Sequence, residues 1–403
     1  MPNALHEVVI FDAVRTPRGK GREGGALANI APPDLAKGLI DALEKRIGAI
    51  ARAPDHFILG CVGQVGAQGG HIGLVTKLHA GLAESTSAWS LNNFCTSGLS
   101  AVSAAVDRVA AGSSDIVLAG GMESMSRVPF LADNAAYYMD PVFSASVNYI
   151  PVALSADVLA HREKVSRAEL DDVALQSHAK AGAAIAQGAS QQSLIPVTDA
   201  DGKVILTKDE YVRPNTTLDT LGRYGAAFED LGKAYAAVLR KSIGTETISH
   251  VHAVVHAPGV ADGAALALLG RKEAGATHGL KPRARVIATA EAGGDPVLGL
   301  TAGRTAMEKV LAKAGLTLKD IDIIEYMEAF AVVPALFYRD FPEARAKTNL
   351  YGGHVARGHA LGATGGVLLS QLIDALENKG AKRGMVVTFA ASGIGSAMIL
   401  ELA

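Results

Sequence analysis

The sequence predicts an α/β protein made of two similar halves with a long excursion between them, and three observations carry that prediction. Short β-rich runs alternate with helical stretches, the same rhythm returns in the last third of the chain, and the composition is that of a compact fold with many tight turns. Hydrophobic residues make up 49% of the chain and charged residues 19%, with 44 glycines. At 403 residues the length suggests two or three packed units around a large interior.

In the first half, Val8-Val9-Ile10-Phe11, Phe57-Ile58-Leu59-Gly60 and Ile116-Val117-Leu118-Ala119 read as strands, and Pro33–Ile50 and Gly98–Ala111 as helices. Alternation of this kind implies crossover units and a largely buried mixed sheet. The second half follows suit with Arg285-Val286-Ile287-Ala288, a helix over Gly303–Ala314, a strand at Ile321–Tyr326, a helix opening at Gly362 and a strand at Met385–Phe389. Each half is expected to close on a strand and a glycine-bearing turn, Gly120-Gly121 in one and Ser392-Gly393-Ile394-Gly395 in the other. Between them the chain turns polar, with a helical stretch at Ala168–Gln187 and a Pro/Thr-rich run at Arg213–Thr217, and reads as a loop domain covering a site between the halves. The expected division is 1–121 and 251–280 for the first half, 122–250 for the loop domain and 281–403 for the second half.

Net charge is −2 and neither sign forms a long run, so the basic face needed for nucleic acid is not expected. The two cysteines, Cys61 and Cys95, lie in unlike contexts, which argues for free thiols and a reducing, cytoplasmic setting. Met1–Glu7 lacks the layout of a signal peptide, and the apolar stretch Ala253–Gly270 is interrupted by His256, Pro258 and Asp262, so no membrane span is expected. No paired ligand spacing points to a metal, and Gly63–Gly73 does not have the spacing of a dinucleotide loop. No permanently bound cofactor is therefore expected.

Two segments hold candidate chemistry. Ser90–Ala101 passes from an extended run into a helix start, which puts Cys95 near a helix amino terminus where the dipole would lower its pKa and make it a nucleophile. A buried structural cysteine fits the same residues. Gly352–Gly366 places His354 and His359 in a glycine-dense loop that opens onto a helix, where a histidine can act as a base or oxyanion donor, or simply cap the helix.

Taken together, Asp12-Ala13-Val14-Arg15-Thr16-Pro17, the segment around Cys95, Gly120-Gly121-Met122-Glu123-Ser124-Met125-Ser126, Asp262-Gly263-Ala264, Glu328-Ala329-Phe330, Gly358-His359 and Gly393-Ile394-Gly395-Ser396-Ala397-Met398 resemble the thiolase family in the family's own order. The resemblance implies duplicated βαβαβαββ halves in a layered α/β/α/β/α core, a loop domain, and a homodimer or homotetramer. It also implies an acyltransferase that uses acyl-CoA as substrate, with Cys95 acylated, His359 activating it, and the backbone N–H groups of Cys95 and Ala391 forming an oxyanion hole. Arg223 and Pro258 match CoA-binding positions.

The departures from the family pattern are specific. Phe389 stands where the family has a second reactive cysteine that moves the α-proton in carbon–carbon bond formation. Met327 stands where Asn or His holds the water of another oxyanion hole, a kind of loss that costs about 2.7–4 kcal/mol of transition-state stabilisation. Pro258 replaces a serine that contacts pantetheine, and Ala360 replaces a proline after the histidine. Acylation of Cys95 is expected to survive, with the Claisen step altered or impaired unless water, His256 or His354 moves that proton. Thioester hydrolysis and non-catalytic binding of acyl-CoA or a partner are the competing readings.

Overall fold

The computed structural model describes residues 5–189 and 191–403. The first half contributes β1 (Val8–Arg15), β2 (His56–Gly60), β3 (Ser87–Leu91), β4 (Ile116–Ser124) and β5 (Ala261–Arg271). The second contributes β6 (Ala284–Gly293), β7 (Ile323–Tyr326), β8 (Arg383–Ala390) and β9 (Ile394–Leu402). They form one sheet in the order β7-β8-β9-β6-β1-β5-β4-β2-β3, with the short strand Gly19–Lys20 against β5.

The order exposes the duplication. From the seam outward the first half runs β1-β5-β4-β2-β3 and the second β6-β9-β8-β7, with an isolated Ile324–Thr348 bridge where the first half has β3. The seam itself is short, pairing Val9 with Arg285 and Ile10 with Ala284 in antiparallel register.

Helices complete the layers. Helix α1 (Pro32–Ile47) begins with prolines whose fixed φ and missing N–H suit its first turn, and Asp34 in that turn with Lys45 and Arg46 in the last complement the helix dipole. Helix α2 (Ser97–Ala110) follows Cys95, and α3 (Arg167–Ala186), in the inserted segment, is started by a Ser166/Glu169 capping box. Helix α4 (Ala302–Ala314) ends at Gly315 and α5 (Thr364–Lys379) at Gly380, both left-handed. Helix α1 packs on the first half-sheet and α4 on the second, whereas α2 and α5 touch strands of both and form the middle layer. Every residue of α5 from Thr364 to Leu376 is buried.

Glycines set how closely the middle layer packs. A Cβ at Gly98 would meet Gly362 O, and one at Gly365 would collide with the backbone of Leu99, so α2 and α5 touch main chain to main chain. This also corrects the reading of Gly120-Gly121 as a turn. Both lie inside β4, and a Cβ would strike Ala265 O from Gly120 and Gly362 O from Gly121. In the second half the turn is Ser392-Gly393, at φ 62° and 79°, while Ile394 and Gly395 already belong to β9.

Strand β5 lies in the segment 251–280 assigned to the first half, but its residues read as an interrupted apolar stretch and an Asp262-Gly263-Ala264 motif rather than as a strand. Its Ala/Gly/Leu composition has little intrinsic β preference, and the strand exists because β1 and β4 pair with it on both edges. Between Ser124 and Ala261 the chain leaves the sheet for helices and a small hairpin of Val197–Thr198 with Val204–Leu206. A buried cluster ties this excursion down: Asp209 pairs with Arg15 at 3.0 Å, Arg18 at 3.0 Å and Arg357 at 2.6 Å. The three arginines hold the Asp209 carboxyl well below its ordinary range despite its burial.

Candidate active site

A cavity of about 290 Å³ opens where the two halves meet the inserted segment. Cys95 and His359 line it, together with Phe389, Ala391, Pro258 and the tyrosines Tyr137, Tyr138 and Tyr149. The middle layer explains the meeting: Cys95 precedes α2, His359 precedes α5, and the glycine contacts hold the two helix starts together.

Cys95 sits just outside its helix, whose N-cap is Thr96. The loop is tight: Phe94 has φ 47°, Ser97 Oγ donates to Phe94 O at 2.6 Å and Thr96 Oγ1 donates to Asn93 O at 2.8 Å. The backbone N–H groups of Cys95 and Ala391 lie close enough to the Cys95 sulfur to favour its charged form. Even so, the thiol pKa is raised, contrary to the expectation from the helix dipole. Burial pushes it up to about 12, the Glu123 carboxylate adds to the rise, and the two N–H groups offset only part of it. The surface of Cys95 that remains accessible faces an apolar cavity, where a thiolate gains little hydration.

Glu123 has a structural task that the sequence did not reveal. Its Oε2 accepts from Val62 N at 2.9 Å and Gly362 N at 3.0 Å, and its Oε1 from Gly63 N at 3.0 Å and Gln68 Nε2 at 2.7 Å. It therefore fastens the loop after β2 to the start of α5. A buried acid directly after Gly-Gly-Met was the available signal.

His359 is buried, with Nδ1 2.7 Å from Thr364 Oγ1 and Nε2 without a partner. When Nδ1 donates to the threonine hydroxyl, Nε2 carries the free lone pair. Burial, reinforced by the charge of Arg18, lowers the ring's pKa to about 3, so it is neutral across the physiological range.

Phe389 and Met327, the two positions read from the sequence as departures from the family pattern, touch each other. Phe389 is 1% exposed, packs edge-on against Tyr326 at 4.9 Å, and its backbone N–H reaches Met327 Sδ at 3.3 Å. Met327 is fully buried and does not line the cavity. Apolar packing occupies both places.

Of the other candidates, Pro258 lines the cavity, whereas Arg223 is exposed in a separate depression beside Arg213, Tyr224 and Val255. Neither histidine suggested as a replacement proton carrier lines the cavity. His256 has both ring nitrogens engaged, Nδ1 with Ala253 N at 3.0 Å and Nε2 with Asp171 at 2.8 Å. His354 lies behind His359, ring centres 5.6 Å apart, with both nitrogens unpartnered and its pKa depressed by burial. Among the described residues no cluster of His, Cys, Asp and Glu could hold a metal ion, and no helix is long and apolar enough to cross a membrane.

A duplicated, layered fold with a cysteine and a histidine at the starts of the two middle helices defines a class, and comparison with known proteins agrees. Residues 8–240 match the family model for the thiolase N-terminal domain and residues 280–402 that for the thiolase C-terminal domain. The chain belongs to the thiolase family of acyltransferases. It is 34% identical to a beta-ketoadipyl-CoA thiolase of Pseudomonas aeruginosa, over 98% of this chain and 99% of that protein. It is 32% identical to an acetyl-CoA acetyltransferase of Rhizobium meliloti, over 98% of each. The crystal structure of the Bacillus anthracis acetyl-CoA acetyltransferase superposes with a TM-score of 0.85 at 29% identity, covering 100% of both chains.

Proposed function

We propose that the protein transfers acyl groups from acyl-CoA through a thioester on Cys95, and that its carbon–carbon bond-forming step is altered. One observation carries this reading: Cys95 and His359 line one cavity, and the His359 Nε2 is left without a hydrogen-bond partner. The thiol attacks the thioester carbonyl as its proton passes to His359 Nε2. The oxyanion forms against the N–H groups of Cys95 and Ala391. Collapse expels CoA thiolate, which takes the proton back, leaving acyl-Cys95 and free CoA.

The second step needs an acceptor. Phe389 cannot remove an α-proton, and His256 and His354 stand outside the cavity. The acceptors this site favours bring their own labile proton, a thiol or water, which His359 can take. Mass spectrometry of the intact protein after exposure to acyl-CoAs, beside Cys95→Ala, tests the reading: a Cys95-dependent acyl adduct is expected. A chase with CoA, water or acetyl-CoA then separates acyl transfer from hydrolysis and from condensation. No adduct and no CoA release with any chain length would favour non-catalytic binding.

The same reading includes a homodimer or homotetramer and a reducing, CoA-containing compartment such as the cytoplasm. Strand β3 ends the sheet with one edge unpaired, and Trp89 at 43% exposure lies beside the helix Ile72–Ala80, whose Leu78 is 68% exposed. A second copy pairing along that edge would cover both.

A further inference from the structure

We propose that the cavity is an acyl pocket for bulky, ring-bearing apolar chains and that it rejects chains ending in a carboxylate, a substrate class resting on the acyltransferase reading. Much of the lining besides Cys95 and His359 is supplied by the inserted segment, including Val128, Phe130, Leu131, Tyr137, Tyr149 and Val152. These residues lie apart from the catalytic pair in sequence, so pocket shape can vary without disturbing the chemistry.

The aromatic rings form a connected array. Tyr137 stacks on Phe94 with centres 6.5 Å apart and planes at 19°, and meets Tyr149 edge-on at 4.8 Å. Tyr138 lies 6.1 Å from Tyr149, and Tyr235 backs Tyr149 at 6.3 Å. The Tyr137 hydroxyl is engaged by Ser392 Oγ. Such an array offers faces and edges for another ring.

Size agrees with that occupant. A dry cavity of about 150 Å³ accepts a benzene ring, so one of about 290 Å³ has room for one ring with its linker beside the part of the thioester arm that reaches Pro258. Charge excludes the alternative. Among the described lining residues there is no lysine or arginine, the charged ones are Glu123 and Asp133, and both oxygens of Glu123 are already occupied by the donors named above. A chain-terminal carboxylate would enter without a counter-ion and near a second carboxylate, a desolvation cost with nothing to offset it.

Two probes of similar length, 4-phenylbutyryl-CoA and adipoyl-CoA, test the pocket, with acetyl-CoA as the small reference. Cys95 acylation, read as CoA release and adduct mass, is expected to be about 10²-fold more efficient with the phenyl chain than with adipoyl-CoA. Replacing Phe130, 48% exposed at the rim, in Phe130→Arg is expected to shrink that ratio about tenfold. Calorimetric binding of both probes to Cys95→Ala reads the pocket without chemistry. Equal or reversed preference in binding overturns the pocket assignment. Preserved preference in binding with no adduct on the unaltered protein overturns the acyltransferase reading and leaves the pocket standing.

Discussion

Cys95 and His359 are held as a neutral pair, the thiol pushed up to about 12 and the imidazole down to about 3. The proton is therefore expected to move only when a thioester is in place. Alkylation of Cys95 by iodoacetamide should rise about tenfold per pH unit from pH 7 to 10, tracking the thiolate fraction. A plateau below pH 8 would mean a resting thiolate. Glu325 gives a second pH signature: it is fully buried, both carboxylate oxygens lack partners, and burial raises it from 4.5 to about 8. Because the folded state holds this proton more tightly, the stability linked to it is full below pH 4.5 and is lost as pH rises through 8. Glu325→Gln should flatten the fall in melting temperature between pH 5 and 8.5, and an unchanged slope would assign that fall elsewhere. Cys95 and His359 could be singled out as candidates only through the resemblance of several segments in order, since each segment alone also fits a structural cysteine or a capping histidine. Their protonation was not legible, since burial is set by residues hundreds of positions away.

At the scale of elements, the buried Asp209 cluster is the joint between the excursion and the rest. Asp209→Asn leaves Arg15, Arg18 and Arg357 facing one another and should destabilise by about 3–5 kcal/mol in urea unfolding. A loss below about 1 kcal/mol would mean that the arginines find other partners. The Phe389–Met327 contact makes a sharper test of chemistry. Phe389→Cys alone should cost stability in the range of about 3–5 kcal/mol that large-to-small core changes show. Combined with Met327→Asn it should raise condensation of acetyl-CoA to acetoacetyl-CoA above that of the unaltered protein, and no gain in a folded double variant would overturn the proposed role of these two positions. Strands and helices with β-branched or amphipathic patterns could be read from the sequence to within a few residues. Gly120-Gly121 could not, because the reason for those glycines is the approach of Gly362 from across the molecule. Nor could β5, whose residues become a strand only between two partners. The aromatic wall of the pocket was equally hidden, since Tyr137, Tyr138 and Tyr149 line one cavity through tertiary packing that no local periodicity records.

At the scale of the whole molecule, the proposed dimer predicts that Leu78→Glu, at a site too exposed to affect folding, gives a monomer in sedimentation velocity while the unaltered protein sediments as a dimer or larger. An unchanged species would move the interface away from β3. The order of strands also bears on how the chain is made. Strand β5 closes both β1 and β4, yet the ribosome reaches it only after the whole excursion from Ser124 to Ala261. At about 5–20 residues per second that interval lasts roughly 7–30 s. Throughout it β1 has neither of its strand partners, since β6 is also still to come, and β4 has one open edge, so mostly apolar strand edges stay exposed at a stage of synthesis where a chaperone would be needed.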